Sequence, residues 1–317
     1  MSITITTGGI TMTGAGVSFS AAPPSEATAG WWAGGTVPGV GVVSSVQRIT
    51  FATDTATGSI RGPISSPSRL TAGVSTFTYG WFGGGYGPSP VLSTVNRITF
   101  ATDTDTASSR GPLSVPTWGM AGVGTDTDGW FGGGGFPGGS SSSNLQRITY
   151  ATDTATTSQR GKLFSAFRNL GGTSDNTTYG WFVGGSNPTT SLTQRITYAT
   201  DTATASIRGP LNTGVFGIGS VGTTTNGWFA GGSGISLVQR ITYATDTATA
   251  SLRGPLTAGR YQIGGTADTT YGWFAGGASA SSTVDRIIFA TDTATATNRG
   301  PLATASGYMT GSASGIQ

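Results

Sequence analysis

Several side chains on which enzymes and metal sites depend are missing from this chain. It contains no cysteine and no histidine, which excludes disulfides and thiolate metal sites and removes the commonest general base. The 16 basic residues include a single lysine, Lys162, and the 13 acidic residues include a single glutamate, Glu26. We therefore expect no enzymatic activity, no cofactor and no bound metal ion.

Charge and long apolar stretches are also scarce. Charged residues make up 9% of the chain, the net charge is +3, and no run of Lys or Arg occurs, so we expect no nucleic-acid partner. No stretch is apolar enough to span a bilayer, and the start MSITITTGGITMTG has neither the basic nor the apolar region of a signal peptide. These features predict a protein made without a signal peptide and not inserted into a membrane.

The chain is instead rich in glycine and contains a regular repeat. The chain has 54 glycines, which is typical of short strands joined by tight turns. The motif Gly-Trp-aromatic-x-Gly-Gly recurs at intervals of roughly 45 to 50 residues, a spacing that indicates a repeat architecture. It begins at Gly30, Gly80, Gly129, Gly180, Gly227 and Gly272.

Each copy of this motif is followed by a second signature, for example QRITYATDTATASLRGPL from Gln239 to Leu256. Both signatures alternate large apolar residues with small or polar ones, which indicates β-strands. With two further short strands per repeat, the unit matches one four-stranded propeller blade. We predict an all-β, six-bladed β-propeller over residues 25–317 whose ring is closed by the C-terminal strand, and an N-terminal arm or docking segment over residues 1–24.

The repeat resembles the kelch family: a strand ending in Gly-Gly, an aromatic-bearing strand with an Asp-led turn, and a blade-closing strand. Where kelch repeats usually have a Trp in the last strand, this chain has Arg-Gly-Pro-Leu. The variant RITYATDTATASxRGPL followed by GWFAGG looks more like kelch-like repeat proteins encoded by tailed phages, marine ones especially. That resemblance implies a virion structural protein on the tail or capsid surface.

Three types of side chain recur in every repeat, and each has a structural and a functional interpretation. The repeat tryptophans either pack between blades, which we favour, or stack on sugar rings; they are Trp31, Trp81, Trp130, Trp181, Trp228 and Trp273. The paired arginines of each repeat either fix neighbouring blades together, which we favour, or form a ring that binds a polyanion. The turn aspartates are expected to cap their own hairpins in Asx turns rather than bind metal; they are Asp54, Asp103, Asp153, Asp201, Asp246 and Asp292.

The loops after the Gly-Gly pairs and the connections between blades vary in length and chemistry, whereas the Asp-Thr turns are nearly constant. In a propeller these variable segments share one face, as in a recognition surface on a rigid scaffold. Simple tolerance of loop variation is the alternative. The candidate contacts for a ligand or partner are Tyr86, Trp118, Phe136, Phe216 and Tyr261.

We therefore predict a non-enzymatic phage virion protein, a tail fibre, spike or capsid-decorating module. Its loop surface would bind a host-surface glycan or protein, and its arm would bind other virion proteins. The alternative is a cellular, surface-exposed, lectin-like propeller that binds glycans. A third interpretation, a polysaccharide hydrolase or lyase, would need acids at the ring centre, and Asp126 with Asp128 is the pair that supports it.

Overall fold

A computed structural model describes residues 2–6, 9–13, 27–88, 90–309 and 312–314, with backbone pairing alone for the first two and the last of these ranges. Six four-stranded antiparallel sheets form the six blades of a β-propeller, which confirms the predicted fold class. The six innermost strands lie next to one another around the axis. We number the blades 1 to 6 in chain order and name the strands of each blade, from the axis outwards, inner, second, third and outer.

The inner strands are Ser312–Ser314 in blade 1, then Ala72–Ser75, Ala121–Gly124, Gly171–Ser174, Gly219–Gly222 and Gly264–Ala267. The second strands are Ala29–Ala33, Tyr79–Gly83, Asp128–Gly132, Tyr179–Val183, Asn226–Ala230 and Tyr271–Ala275. The third strands are Val46–Thr50, Val95–Thr99, Asn144–Thr149, Thr193–Thr197, Val238–Thr242 and Val284–Ile288. The outer strands are Ser59–Arg61, Ser108–Arg110, Ser158–Lys162, Ser206–Arg208, Ser251–Arg253 and Thr297–Asn298.

One short 3-10 helix joins the third strand to the outer strand in every blade. These helices are Phe51–Thr53, Phe100–Thr102, Tyr150–Thr152, Tyr198–Thr200, Tyr243–Thr245 and Phe289–Thr291. The loop of blade 1 carries an additional hairpin of Thr36–Val37 and Gly41–Val42.

The ring is closed by the C-terminal strand, as predicted. Ser312–Ser314 pairs antiparallel with Ala29–Ala33, with Ser312 opposite Trp32 and Ser314 opposite Gly30. The last strand of the chain is thus the inner strand of the first blade. Because the strand at residues 312–314 shares one sheet with strands from residues 29–61, blade 1 cannot form completely unless both segments are in place.

Part of the predicted N-terminal arm forms a hairpin of its own. Strands Ser2–Thr6 and Gly9–Thr13 pair antiparallel in a separate two-stranded sheet. The other positions of the arm, residues 1, 7–8 and 14–24, lie outside the described residues. The docking role of the arm stays a prediction.

Among the described residues the hydrophobic core is divided into six clusters, and each fills the interface between two neighbouring blades. Between blades 1 and 2, for example, Trp31 packs with Phe82 and stacks on Phe100 at a ring separation of 4.1 Å. The Trp and the following aromatic of a second strand point to opposite faces of the sheet because side chains alternate along a strand. Each blade therefore places its Trp against the next blade and its Phe, or Trp32 in blade 1, against the previous one.

A row of backbone hydrogen bonds runs around the axis where the blade connections enter the inner strands. Each blade contributes one residue with positive φ, between 55° and 66°: Leu70, Gly119, Asn169, Gly217, Gln262 and Tyr308. The N–H of one such residue donates to the carbonyl of its counterpart in the preceding blade, for instance Gly119 to Leu70 at 2.8 Å and Asn169 to Gly119 at 2.7 Å. Five bonds of this kind, including the one from Leu70 to Tyr308, tie the blade connections together around the axis.

Candidate functional site

The variable loops and the blade connections lie on one face of the ring, which we call the loop face. Isolated β-bridges join a loop to a connection at Arg69 with Tyr86, at Trp118 with Gly135 and at Arg168 with Ser186. The Asp-Thr turns and the hairpins between inner and second strands lie at the other ends of the strands, on what we call the turn face. This arrangement places all five candidate contacts on the loop face.

The Gly-Gly pairs lie where the chain leaves each second strand and enters the following loop. Gly84 and Gly85 have φ values of 65° and 101°, and a Cβ on Gly84 would lie 2.3 Å from the carbonyl oxygen of Thr117 in the next connection. The N–H of Gly85 donates to that same carbonyl at 3.0 Å. These glycines therefore serve close backbone approach and positive φ.

Two of the candidate contacts form an aromatic pair that two arginines flank. The rings of Tyr86 and Trp118 meet edge to face, with centroids 6.2 Å apart. The guanidinium of Arg69 lies 5.5 Å from the Tyr86 ring centroid, and that of Arg168 lies 5.0 Å from the Trp118 centroid. Tyr86 is 38% exposed. The cluster thus presents aromatic and cationic groups together on the loop face.

The other three candidates lie further round the same face. Phe216 and Tyr261 form a second edge-to-face pair with centroids 5.8 Å apart, and both are half-buried. Phe136 begins a turn in the loop of blade 3, where its N–H donates to Ser140 O at 3.0 Å. Arg168 donates to Gly139 O in that loop at 2.7 Å, which joins the loop of Phe136 to the Tyr86–Trp118 cluster.

The five candidate contacts did not include Arg69, Arg168 or Tyr308, which also contribute to this surface. Arg69 lies 5.0 Å from the Tyr308 ring as well as against Tyr86, so these contacts extend the cluster towards blade 1. The sequence did indicate the two arginines, because Arg69 and Arg168 occupy the same position in their blade connections as the candidate Trp118 in its own.

The recurrent Trp, Arg and Asp side chains form clamps between neighbouring blades. Trp181 donates its indole N–H to Oδ2 of Asp246 at 2.8 Å, and Arg195 donates to the same oxygen at 3.0 Å. Arg208 approaches that oxygen to 3.5 Å, and the N–H of Gly209 donates to the backbone carbonyl of Asp246 at 2.8 Å. The other five interfaces repeat these contacts, with Asp201 and its two arginines at slightly different distances.

These clamps decide between the alternatives that the sequence left open for the recurrent side chains. The tryptophans are buried and pack between blades, and the arginines fix adjacent blades, as we favoured. The expectation that the turn aspartates cap their own hairpins is wrong, because their carboxylates accept hydrogen bonds from the preceding blade. Asx turns occur instead in the hairpins of the turn face, where Asp175 Oδ1 accepts from three backbone N–H groups, those of Thr177, Thr178 and Tyr179.

The aspartate pair proposed for hydrolysis lies in one of these hairpins. Asp126 is exposed, and Asp128 Oδ1 accepts from Thr149 Oγ1 at 2.6 Å within the same blade. Both belong to the turn face of blade 3, not to the ring centre. Within the described part of the chain, no group of three or more Asp or Glu side chains could hold a metal ion.

The connection that enters blade 6 from blade 5 is bound by a different side chain from those that enter the other five blades. In blades 1 to 5 a buried Gln or Asn of the third strand faces the incoming connection, and blade 6 has Asp285 at that place. Arg260 of the connection binds Asp285 and donates to the carbonyls of Gly276 at 2.6 Å and Thr283 at 3.0 Å. Burial lowers the pKa of Arg260, while the adjacent carboxylate of Asp285 raises it. This ion pair anchors the connection that carries Tyr261.

No protein-family model matches the chain, and no curated protein matches it. The helices among the described residues are the six 3-10 turns, and none of them has the length or apolar character needed to cross a membrane.

Proposed function

We propose that this protein is a non-enzymatic virion structural protein of a tailed phage, a tail fibre, spike or capsid-decorating module that binds its target through the loop face. The observation that carries the binding role is the contrast between the two faces. The clamps repeat at every blade interface, whereas the loops and the blade connections carry aromatic residues that differ from blade to blade, namely Tyr86, Trp118, Phe216 and Tyr261. A rigid scaffold with variable loops on one face is the usual design of a recognition surface.

The chemistry of the loop face favours a neutral target over a phosphate-rich one. The edge-to-face pairs present apolar ring surface with polar edges, and Arg69 and Arg168 are engaged with those rings. Tyr, Trp, Ser and Gly together supply rigid apolar contacts and adaptable hydrogen bonds, a combination that antibody paratopes also use. A host-surface glycan or protein fits this chemistry.

The virion assignment rests on the resemblance of the repeat, RITYATDTATASxRGPL with GWFAGG, to kelch-like repeats of tailed phages. The N-terminal hairpin Ser2–Thr6 and Gly9–Thr13 supports a partner role for the arm, since two strands have edges to which a neighbouring protein can add a strand. Deleting residues 1–24 should abolish incorporation into particles while the thermal unfolding of the ring stays unchanged.

Immunogold electron microscopy of particles and cells, with antibody against residues 25–317, tests the location. Labelled virions are the expected result, on the tail for host attachment or on the head for decoration. Purified particles without label would overturn the virion proposal but leave the binding face untouched.

Adsorption of the purified protein to host cells tests the loop face separately. Tyr86→Ala and Trp118→Ala should each reduce cell binding, and the effect should exceed that of Phe77→Ala. Phe77 is a matched control because it is an aromatic residue of similar exposure, 37%, on the turn face of blade 2. Equal binding by all three variants would refute a role for the Tyr86–Trp118 cluster.

The alternative candidate is a cellular, surface-exposed, lectin-like propeller. The Tyr86–Trp118 pair is the observation that favours it, because an exposed aromatic face suits the apolar face of a sugar ring. Gold label on cell surfaces alone, together with binding of the protein to a glycan array, would establish this function in place of the virion role.

A further inference from the structure

One position of the repeat differs in blade 1 from all the other blades. It is the first residue of the second strand, directly before Gly-Trp. Five blades have a residue with a large or polar side chain there, namely Tyr79, Asp128, Tyr179, Asn226 and Tyr271, whereas blade 1 has Ala29.

In blades 2, 4 and 6 the tyrosine at this position fills a defined space. The ring of Tyr79 meets the Trp81 ring edge on, with centroids 5.7 Å apart, and the guanidinium of Arg97 lies 4.3 Å from the Tyr79 centroid. The same arrangement recurs for Tyr179 and Tyr271, with Trp distances of 5.9 and 5.7 Å and Arg distances of 3.9 and 4.2 Å. Each ring is thus held between a tryptophan edge and a cation.

In blades 3 and 5 the residue at this position is polar and bonded to its neighbour. Asp128 accepts from Thr149 at 2.6 Å, and Asn226 accepts from Thr242 at 2.9 Å. Ala29 can do neither, because its side chain is a single methyl group.

The corresponding space in blade 1 is an open cavity of about 330 Å³, which we call the blade 1–2 pocket. Its walls include Ala29, Trp31, Arg48 and, from blade 2, Phe100. Trp31 is 4% exposed, whereas the other five repeat tryptophans are 0 to 2% exposed. The side chain of Arg48 is 26% exposed, as in blades 3 and 5, where the equivalent arginines are 26% and 25% exposed, whereas the three arginines that a tyrosine covers are 15 to 19% exposed.

The walls of this pocket are held in place without any ligand. Trp31 stacks on Phe100 at 4.1 Å and donates its indole N–H to Asp103 at 2.8 Å, and Arg48 donates to the same carboxylate oxygen at 3.0 Å. Because these side chains are fixed by the inter-blade clamp, little conformational entropy is lost when a ring enters.

We propose that the blade 1–2 pocket binds a planar aromatic ring of the phenol class, which takes the place that tyrosine has in blades 2, 4 and 6. The ring lies against the edge of Trp31 with one face towards the guanidinium of Arg48, so that edge-to-face and cation–π attraction add to the burial of apolar area. The site lies on the turn face, away from the loop face, and it goes beyond the proposed function.

Calorimetric or NMR titration with p-cresol, the side chain of tyrosine without its backbone, tests this site on the full chain. The wild-type protein should bind one equivalent. Ala29→Tyr should weaken binding at least tenfold, because the new side chain fills the pocket, and it should fold normally because three other blades accommodate a tyrosine there. Tyr79→Ala should add a second equivalent by opening the same space in blade 2. Unchanged affinity in Ala29→Tyr, or no binding by the wild-type protein, would overturn the proposal.

Two further probes define the chemistry. Cyclohexanol has a similar size but no π-system, so it should bind at least tenfold more weakly than p-cresol; equal binding would refute recognition of an aromatic ring. N-acetyltyrosinamide distinguishes the two sources of such a ring. If it binds as well as p-cresol, the pocket accepts a tyrosyl group of a polypeptide, and if p-cresol alone binds, the pocket accepts a free phenol.

Discussion

Replacing Asp246 with alanine removes the central acceptor from one inter-blade clamp. Oδ2 of Asp246 accepts from the buried indole N–H of Trp181 at 2.8 Å and from Arg195 at 3.0 Å, and Arg208 lies 3.5 Å away. The substitution leaves the indole donor without its acceptor and two guanidinium groups without their counter-ion. The backbone bond from Gly209 to the Asp246 carbonyl does not depend on the side chain and should persist.

The expected cost follows from the burial of these groups. An unsatisfied buried donor costs about 1–3 kcal/mol, and breaking a fully buried ion pair by removing one partner costs about 3–5 kcal/mol. The side chains of Arg195 and Arg208 are 17% and 21% exposed, so water can partly solvate the freed charges. We therefore expect a loss of about 3 kcal/mol in the free energy of unfolding.

Urea unfolding followed by circular dichroism measures this loss. With a slope of about 3 kcal/mol per molar urea, the midpoint should fall by about 1 M. Asp105→Ala is the matched control, because Asp105 belongs to the equivalent turn of blade 2 but is exposed to solvent. That variant should stay within about 0.5 kcal/mol of the wild type, as surface substitutions do. Equal stability of the two variants would refute the clamp as a source of stability.

Three further predictions concern the blade interfaces. Trp228→Ala should lower the free energy of unfolding by about 3–5 kcal/mol in urea titration, as for a large buried aromatic, and an unchanged midpoint would mean that this Trp packs loosely. Gly209→Ala should lower the free energy of unfolding by about 1–3 kcal/mol and lower the melting temperature, because the added Cβ would lie 2.0 Å from the Ala248 carbonyl oxygen. An unaltered melting temperature would contradict this close approach. Burial raises the pKa of Tyr243. Below about pH 10 the tyrosine is protonated in both the folded and the unfolded state, so the free energy of unfolding should not depend on it; above that pH only the unfolded tyrosine ionises, and the free energy of unfolding should fall. Tyr243→Phe should make this decline less steep. At neutral pH it should lower the free energy of unfolding by about 1 kcal/mol, because it removes the hydrogen bond to Thr173. An equally steep decline would show that other groups control alkaline unfolding.

Much of the fold was predictable because the chain presents the same pattern six times. From a single GWFAGG or RITYAT segment, only a short strand could be predicted, and with little certainty about its partners. Six copies at similar intervals indicate six equivalent units that stack on one another. The burial of the repeat tryptophans followed from the same argument, since a large aromatic in every unit is expected to pack between units. The ring-closing strand at the C-terminus was predictable from the number of strands, because six repeats were complete except that the first lacked its inner strand; this strand is Ser312–Ser314.

The function of the turn aspartates was not predictable from local sequence. An Asp at a turn usually caps its own backbone, but Trp181 and Asp246 are 65 residues apart and meet only because neighbouring blades lie side by side in the ring. The pairing of Tyr86 with Trp118 is a similar case, since Tyr86 lies in the loop of blade 2 and Trp118 in the connection from blade 2 to blade 3. Their selection as candidates came from loop variability, which does not indicate which aromatic residues meet.

The sequence by itself determined the number of blades, the order of strands and the segments that vary, because these depend on periodicity along the chain. The tertiary structure alone decided which side chains face each other across the interfaces, because those contacts depend on the angle and distance between blades. Ala29 shows the difference clearly. Its departure from the other repeats is visible in the sequence, but the pocket exists only because Trp31, Arg48 and Phe100 surround the space that a larger side chain would fill.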